Sequence, residues 1–331
     1  MNRIALILPY MGSFPNYFSL WAMSAKKNDF IDFYVITDQV KNRCNDENIY
    51  YIPMAFNELK FNIQKIFDFP IALDEAYKIC DYRPVFGKVF ADILASYEFW
   101  GHCDPDVIWG KLKNFITEEI LNDYDKIYSC GHLTIYRNNE FINNLYAKSI
   151  CFNMLNYRDA FQTNYPCHFD ESEGMTYICK KTNVKTYEKI DYADINYRNY
   201  AFARAVSDES KFFIYKWING ELFECSYSDE QKNIQDKRCA YIHLQKRKMN
   251  IFLDIEQGAT EKFLIVPNAF LPMSDDNIIS KAIFIKHTTD KKFYSDYYIS
   301  RMKNIKFKLK NGYIKYKLVR AARKLIKGVN I

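Results

Sequence analysis

Two carboxylates one residue apart, Asp104 and Asp106, stand in the run Gly101-His102-Cys103-Asp104-Pro105-Asp106-Val107-Ile108-Trp109-Gly110. The aromatic stretch Tyr97 to Trp100 reads as a strand running into this polar edge. Paired acids at the carboxyl end of a strand add little to a core, but they can bind a hard divalent cation and, through it, a diphosphate. Asp-Pro-Asp is also ordinary turn chemistry, so the neighbours decide. Asp81 and Arg83, in Cys80-Asp81-Tyr82-Arg83-Pro84, sit at the mouth of a predicted helix, as a capping ion pair or as contacts to a nucleotide sugar or to the metal-binding strand. Asp170 and Glu171 form a second acidic pair before Gly174, read either as a cap or as a carboxylate facing a reaction centre. Around His243, the run Tyr241 to Lys248 is a solvated charge cluster or an imidazole on metal with lysines on phosphate. His132 stands beside another strand end, read either as a contact to ligand or, preferably, as a histidine that satisfies a backbone carbonyl.

The elements that must position these residues follow from pattern. Ile4 to Leu8 is a continuous apolar run stopped by Pro9, and Phe30 to Thr37 is a second, with a predicted helix from Asn16 to about Ala25 between them. Strand, helix and strand at this spacing make a βαβ unit, and ligands on such sheets lie beyond the carboxyl ends of strands. Tyr10 and Asp38 therefore share a rim with Asp104 and Asp106. A short strand is expected at Ile49 to Ile52, and helices at Glu58 to Phe67 and Ile71 to Ile79. A further helix opened by Pro84 carries the stripe Phe86, Val89, Phe90, Ile93 and Leu94. Thr117 is expected to cap a short helix, and Lys126 to Cys130 to form a strand. Asn219-Gly220 joins two strands in a hairpin, and Phe252 to Asp254 and Phe263 to Pro267 are the last strand candidates.

At 331 residues the chain can bury a full core. Its 27 Tyr and 26 Phe supply rings for stacking on sugars or bases. The net charge of +6 misleads, because residues 301–331 hold eleven Lys or Arg and no acid. The remainder carries 35 basic against 40 acidic side chains, which excludes the spread basic groove of a nucleic-acid binder. Nine scattered cysteines without a Cys-x-x-Cys pair suggest neither a zinc site nor a disulfide framework, so a cytoplasmic home is expected. The apolar run after Met1 is too short for a signal peptide.

Pro9-Tyr10 through Asn16-Tyr17, Lys78 to Pro84, Trp100 to Asp106 and Gly131-His132-Leu133-Thr134 occur in this order. The series resembles an uncharacterised bacterial family of glycosyltransferase-like proteins encoded with capsule and O-antigen genes, and more widely the GT-A transferases. The resemblance implies an α/β fold with a mixed central sheet flanked by helices, over residues 1–270, and a basic helical extension at 271–331. It implies a nucleotide-sugar donor such as a UDP-sugar, held with Mn2+ or Mg2+. Asp104 and Asp106 take the metal-binding role, with Asp106 the direct ligand. Tyr10 and Asp38 fall where such proteins hold the nucleoside. His243 and Lys246 echo a late His and Lys that grip metal and diphosphate. The acceptor implied is a growing surface polysaccharide or lipid-linked oligosaccharide, and Asp170 or Glu171 would serve as base in an inverting reaction. A non-catalytic sugar-binding protein and a haloacid-dehalogenase-like phosphatase are the rivals. In the tail, Val319, Ala322 and Ile326 at helical spacing among Arg320, Arg323, Lys324 and Lys327 predict a helix lying on the anionic inner face of the cytoplasmic membrane.

Overall fold

The computed structural model describes residues 3–148, 150, 156–203, 205, 213–228, 233–254, 261–273, 279, 283, 286 and 291–327. Its centre is an eight-stranded mixed sheet. In chain order the strands are β1 (Ile4–Tyr10), β2 (Ile31–Thr37), β3 (Cys44–Asp46), β4 (Ile49–Pro53), β5 (Phe99–Cys103), then β7 (Lys126–Cys130), β8 (Leu133–Arg137) and β9 (Thr186–Tyr187). Across the sheet they run β3-β4-β2-β1-β5-β8-β7-β9. β4, β2, β1 and β5 are mutually parallel, whereas β8 runs against both β5 and β7. The mixed α/β architecture is the expected one. Its parallel strands are mostly apolar because both faces are covered, with Asp32 of β2 and His102 of β5 as buried polar exceptions. One face packs on a core around Tyr82, Phe86, Trp100 and Phe161, the other on a core around Trp21, Phe33 and Trp109. The helix α1 (Phe18–Lys26) contributes Trp21 to the second core.

A three-stranded sheet leans on this body: β10 (Ala193–Asp194), β14 (Tyr241–His243) and β6 (Val107–Trp109). A six-stranded sheet follows, with β11 (Phe213–Ile218), β12 (Glu221–Ser228), β13 (Asn233–Cys239), β15 (Asn250–Ile251), β16 (Lys262–Val266) and β17 (Ala269–Pro272). Its β11–β12 hairpin turns at Asn219 and Gly220, whose φ angles of 50° and 93° are the left-handed pair that a two-residue hairpin needs.

Two helix expectations fail. Phe69, Ile71 and Leu73 are buried while Pro70 and Asp74 are exposed, an alternation of extended chain, so no helix forms over Ile71 to Ile79. Tight 3-10 turns occupy Ala76–Val85 instead, and the stripe after Pro84 is split into turns at Phe86–Val89 and Ala91–Leu94. Two tail helices, Lys291–Lys310 and Tyr313–Lys327, close the described chain. No helix among the described residues is long and apolar enough to cross a membrane.

Candidate functional site

β5 delivers Asp104 and Asp106 to the rim, and strand register brings their partners from far away in sequence. Beyond Asp106 the chain enters β6, which pairs antiparallel with β14 so that Val107 lies opposite His243. β10 lies on the other side of β14, with Asp194 opposite His243. Ligand atoms of Asp104, Asp106 and His243 all come within 4.8 Å of one another. His243 Nε2 stands 3.5 Å from Asp106 Oδ1 and 4.0 Å from Asp104 Oδ2. Its other nitrogen donates to Asp194 Oδ1 at 2.9 Å, which fixes the tautomer and the plane of the ring. Asp194 carried no motif and escapes sequence reading; only the register of two short strands reveals it.

Asp106 is buried, and its Oδ2 accepts from the Lys246 backbone amide at 2.5 Å. That contact requires left-handed backbone at Gln245 and Lys246, with φ of 53° and 57°, a strain of the kind found at ligand sites. Oδ1 of Asp106 is buried and accepts no well-formed hydrogen bond among the described residues beyond the 3.5 Å approach of His243 Nε2. Burial opposes charge on Asp106, but His243 and Lys246 outweigh it and hold the carboxyl at about 2. Burial likewise opposes charge on His243, and Asp106 and Asp194 overcome it, raising the imidazole to about 10. A proton on His243 thus occupies the place that a cation would take. An underbonded carboxylate oxygen, a second carboxylate and an oriented imidazole are a donor set that fits a divalent metal.

Arg83 organises the opposite wall. Its guanidinium ion-pairs with Asp104 Oδ1 and with Asp170 Oδ2, and donates to the Gly131 carbonyl. The second oxygen of Asp104 is left toward His243. Asp170 is 1 % exposed and shares Arg83 with Asp104; burial pushes its carboxyl up to about 8 against the pull of the guanidinium. Glu171, by contrast, lines the cavity and accepts from the Gly131 amide at 2.9 Å. A Cβ at Gly131 would meet Glu171 Oε1 at 2.6 Å and Arg83 Nη1 at 2.7 Å, so a larger residue there would push these side-chain ends out of place.

These groups surround a cavity of about 570 Å³, lined also by Tyr10, Tyr77 and Lys246. Lys246 Nζ rests 4.3 Å above the Tyr77 ring. The ring of Tyr10 stacks on Phe14 at 5.2 Å, opening an aromatic ladder through Phe18 to Trp21. Asp38 sits at the end of β2 as expected, exposed and accepting from the Gly12 amide, at the rim rather than in the cavity wall.

Two expectations need correction. Asp81 does not face the cavity: it is fully buried, paired with Lys78 at 2.5 Å, and accepts from the Cys167 and Phe169 amides at 2.7 and 2.6 Å. It fastens the segment that carries Asp170 and Glu171. His132 bonds Tyr241 Oη at 3.0 Å and packs 4.4 Å from His243, ring to ring, in the cavity wall. The histidine that satisfies a backbone carbonyl is His102, through Gly131.

A model of a family of unknown function (DUF6625) matches residues 6–274, and the chain belongs to that family. No curated protein matches it. Among solved structures it is similar to an active-site mutant of LgtC, at 13 % identity over 62 % of this chain and 80 % of that one, with a TM-score of 0.36. It is similar also to the galactosyltransferase LgtC with donor and acceptor sugar analogs, at 10 % identity over 58 % and 75 %, TM-score 0.33. A third is the apo-form glycosyltransferase GlyE of Streptococcus pneumoniae TIGR4, at 8 % identity over 58 % and 46 %, TM-score 0.31. Likenesses this distant lend no weight to any particular reaction.

Proposed function

We propose that this member of the DUF6625 family is a metal-dependent glycosyltransferase, moving a hexose from a nucleotide-diphosphate sugar, a UDP-sugar by preference, to a saccharide acceptor. The observation that carries the reading is the convergence of Asp104, Asp106 and an Asp194-oriented His243 on one cavity that also holds Arg83 and Lys246. In this reading Asp104, Asp106 and His243 hold the cation, and the imidazole among oxygen donors favours manganese over magnesium. When bound, such an ion neutralises charge on a departing diphosphate. Lys246 and Arg83 supply fixed positive charge beside it, aimed where phosphate charge develops. Tyr10 offers a ring face to the base, with Asp38 at the outer rim. Glu171, the acid of the 170–171 pair that lines the cavity, takes the acceptor proton if the reaction inverts. Asp170 holds Arg83, and Asp81 holds the loop.

The chain is read as a transferase body over 1–270 with an extension at 271–331. Its acceptor is read as a surface polysaccharide, capsule or O-antigen, or a lipid-linked oligosaccharide, met at the inner face of the cytoplasmic membrane. A phosphatase with an Asp nucleophile is disfavoured because Asp104 is tied to Arg83. The test is a panel of nucleotide sugars assayed for manganese-dependent hydrolysis and thermal stabilisation. Asp104→Asn and Asp106→Asn should each abolish both responses without unfolding the chain. Parental turnover in both variants would overturn the assignment.

A further inference from the structure

The second tail helix is amphipathic the wrong way round for a soluble protein. At about 100° per residue, Ile314, Leu318, Ala321 and Leu325 of the second helix fall within an arc of roughly 60°. Yet Ile314, Leu318 and Leu325 are 59, 64 and 84 % exposed. The face turned to the body is polar-aromatic instead. Tyr316 is buried against Tyr165, Arg320 pairs with Glu173 at 3.0 Å, and Arg323 pairs with Asp159 at 2.6 Å. The first helix is only weakly amphipathic, with Phe293, Tyr297 and Phe307 on its other side, but it too carries an exposed apolar stripe. Tyr294, Tyr298, Met302, Ile305 and Leu309 fall within an arc of roughly 80°. All five are exposed, Met302 by 62 % and Ile305 by 50 %.

The opposite side of that first helix touches the body at Tyr200 and Arg247 through Phe293, and at Tyr77 through Phe307. Lys310 pairs with Glu75 at 3.0 Å. Tyr77 lines the cavity, and Arg247 adjoins the cavity residue Lys246. The helix is therefore fastened to the cavity wall at Tyr77 and to the body at Tyr200 and Arg247 while its apolar stripe looks away.

We infer that these two stripes form a docking face for an anionic phospholipid bilayer, and that the contacts behind them hold the cavity at the lipid surface. Charge selects the occupant. Of the eleven Lys or Arg between 301 and 331, Lys310, Arg320 and Arg323 pair with acids of the body; the other eight, with no acid in that stretch, would set like charge on like in a second copy seated on the stripes. Anionic headgroups instead match the cations while acyl chains take the apolar side chains. This face differs from the Val319, Ala322 and Ile326 face expected from sequence. The side chain of Ile326 lies outside the described residues; Ala322 falls roughly 40° and Val319 roughly 100° beyond the edge of the stripe. The inference rests on the transferase reading for its purpose, delivery of a lipid-linked acceptor, but lipid binding is measured without any sugar nucleotide.

The test sediments the full chain with vesicles of phosphatidylglycerol and phosphatidylcholine, against phosphatidylcholine alone, at moderate salt. The parent should pellet with the anionic vesicles. The triple variant Met302→Glu, Ile305→Glu, Leu318→Glu should bind them about tenfold less or weaker, since carboxylates oppose both attractions. Equal sedimentation of parent and variant would overturn the inference, as would equal binding of the parent to neutral vesicles. A parent dimer in light scattering that the substitutions dissociate, with no vesicle binding, would assign the face to a second copy. Thermal stabilisation by manganese and UDP, followed in both proteins, reads the transferase site separately. Its loss in the parent alongside intact vesicle binding would remove that reading and leave this one.

Discussion

Asp194 touches no presumed ligand atom, yet it sets the ring that does. Its carboxylate holds His243 Nδ1 at 2.9 Å and also accepts from Gln245. Removing such an orienting partner costs about 10–100-fold in metal affinity, so Asp194→Ala should weaken manganese binding by that factor while the chain still folds. Calorimetric titration with manganese checks this, and an unchanged affinity would separate Asp194 from the cluster. Asp170 makes a prediction of a different kind. Its folded carboxyl is raised to about 8, against about 4 in an unfolded chain, so between those values the folded state keeps a proton that the unfolded state has lost. Stability contributed by that proton is full below about pH 4 and is lost as pH rises to about 8. Asp170→Asn should therefore flatten the decline of Tm across that window, while retaining an acceptor for Arg83. A decline as steep as the parent's would mean that Asp170 is ionised throughout. Asp104, Asp106 and His243 were legible in the sequence because paired acids after an apolar run, and a histidine ending another, are rare patterns in a core. Asp194 was not, since its neighbours Ala193 and Ile195 read as any short buried segment.

Strands that span the sheet were legible for the same physical reason that they are buried. Continuous apolar runs such as Ile4 to Leu8 leave no alternative to a covered strand. The 160–174 region was not legible, because its shape is imposed from outside. Lys78, 1 % exposed, donates to the carbonyls of Ala160 and Tyr165, and Asp81 accepts the amides of Cys167 and Phe169. Two side chains three residues apart thus replace the backbone ladder that a regular element would have provided. That substitution explains why Asp81 looked like a site residue: its charge is conspicuous, but it works inward. Asp81→Ala would leave a buried ammonium without its counter-ion and the Cys167 and Phe169 amides without their acceptor, at a cost of about 3–5 kcal/mol. Urea unfolding measures the loss, and a cost under about 1 kcal/mol would mean that Lys78 finds another acceptor or releases its proton.

At the scale of the whole molecule, the tail is where a basic, aromatic composition acquires two separate uses. Tyr and Arg side chains of the second tail helix turn inward, and aliphatic ones turn outward. Sequence periodicity finds an amphipathic helix there without revealing which face the body takes, because tyrosine and arginine count as poorly apolar while packing well. The two uses should come apart. Arg320 bonds both Glu173 and the Tyr316 hydroxyl, so Tyr316→Ala, Arg320→Ala and Arg323→Ala together remove the buried ring and the ion pairs to Glu173 and Asp159 while leaving Ile314, Leu318 and Leu325 untouched. A loosened helix opens more often, and proteolysis follows the open population. Trypsin should then cut the tail of this triple variant about tenfold faster or more, since each lost 1.4 kcal/mol of local stability raises the open fraction tenfold. Sedimentation with anionic vesicles should persist, because the stripe and the other cations remain. Protection equal to the parent's would show the tail to be held by other contacts. Loss of vesicle binding together with faster cleavage would instead mean that the docked geometry, and not the stripe alone, is what the lipid surface recognises.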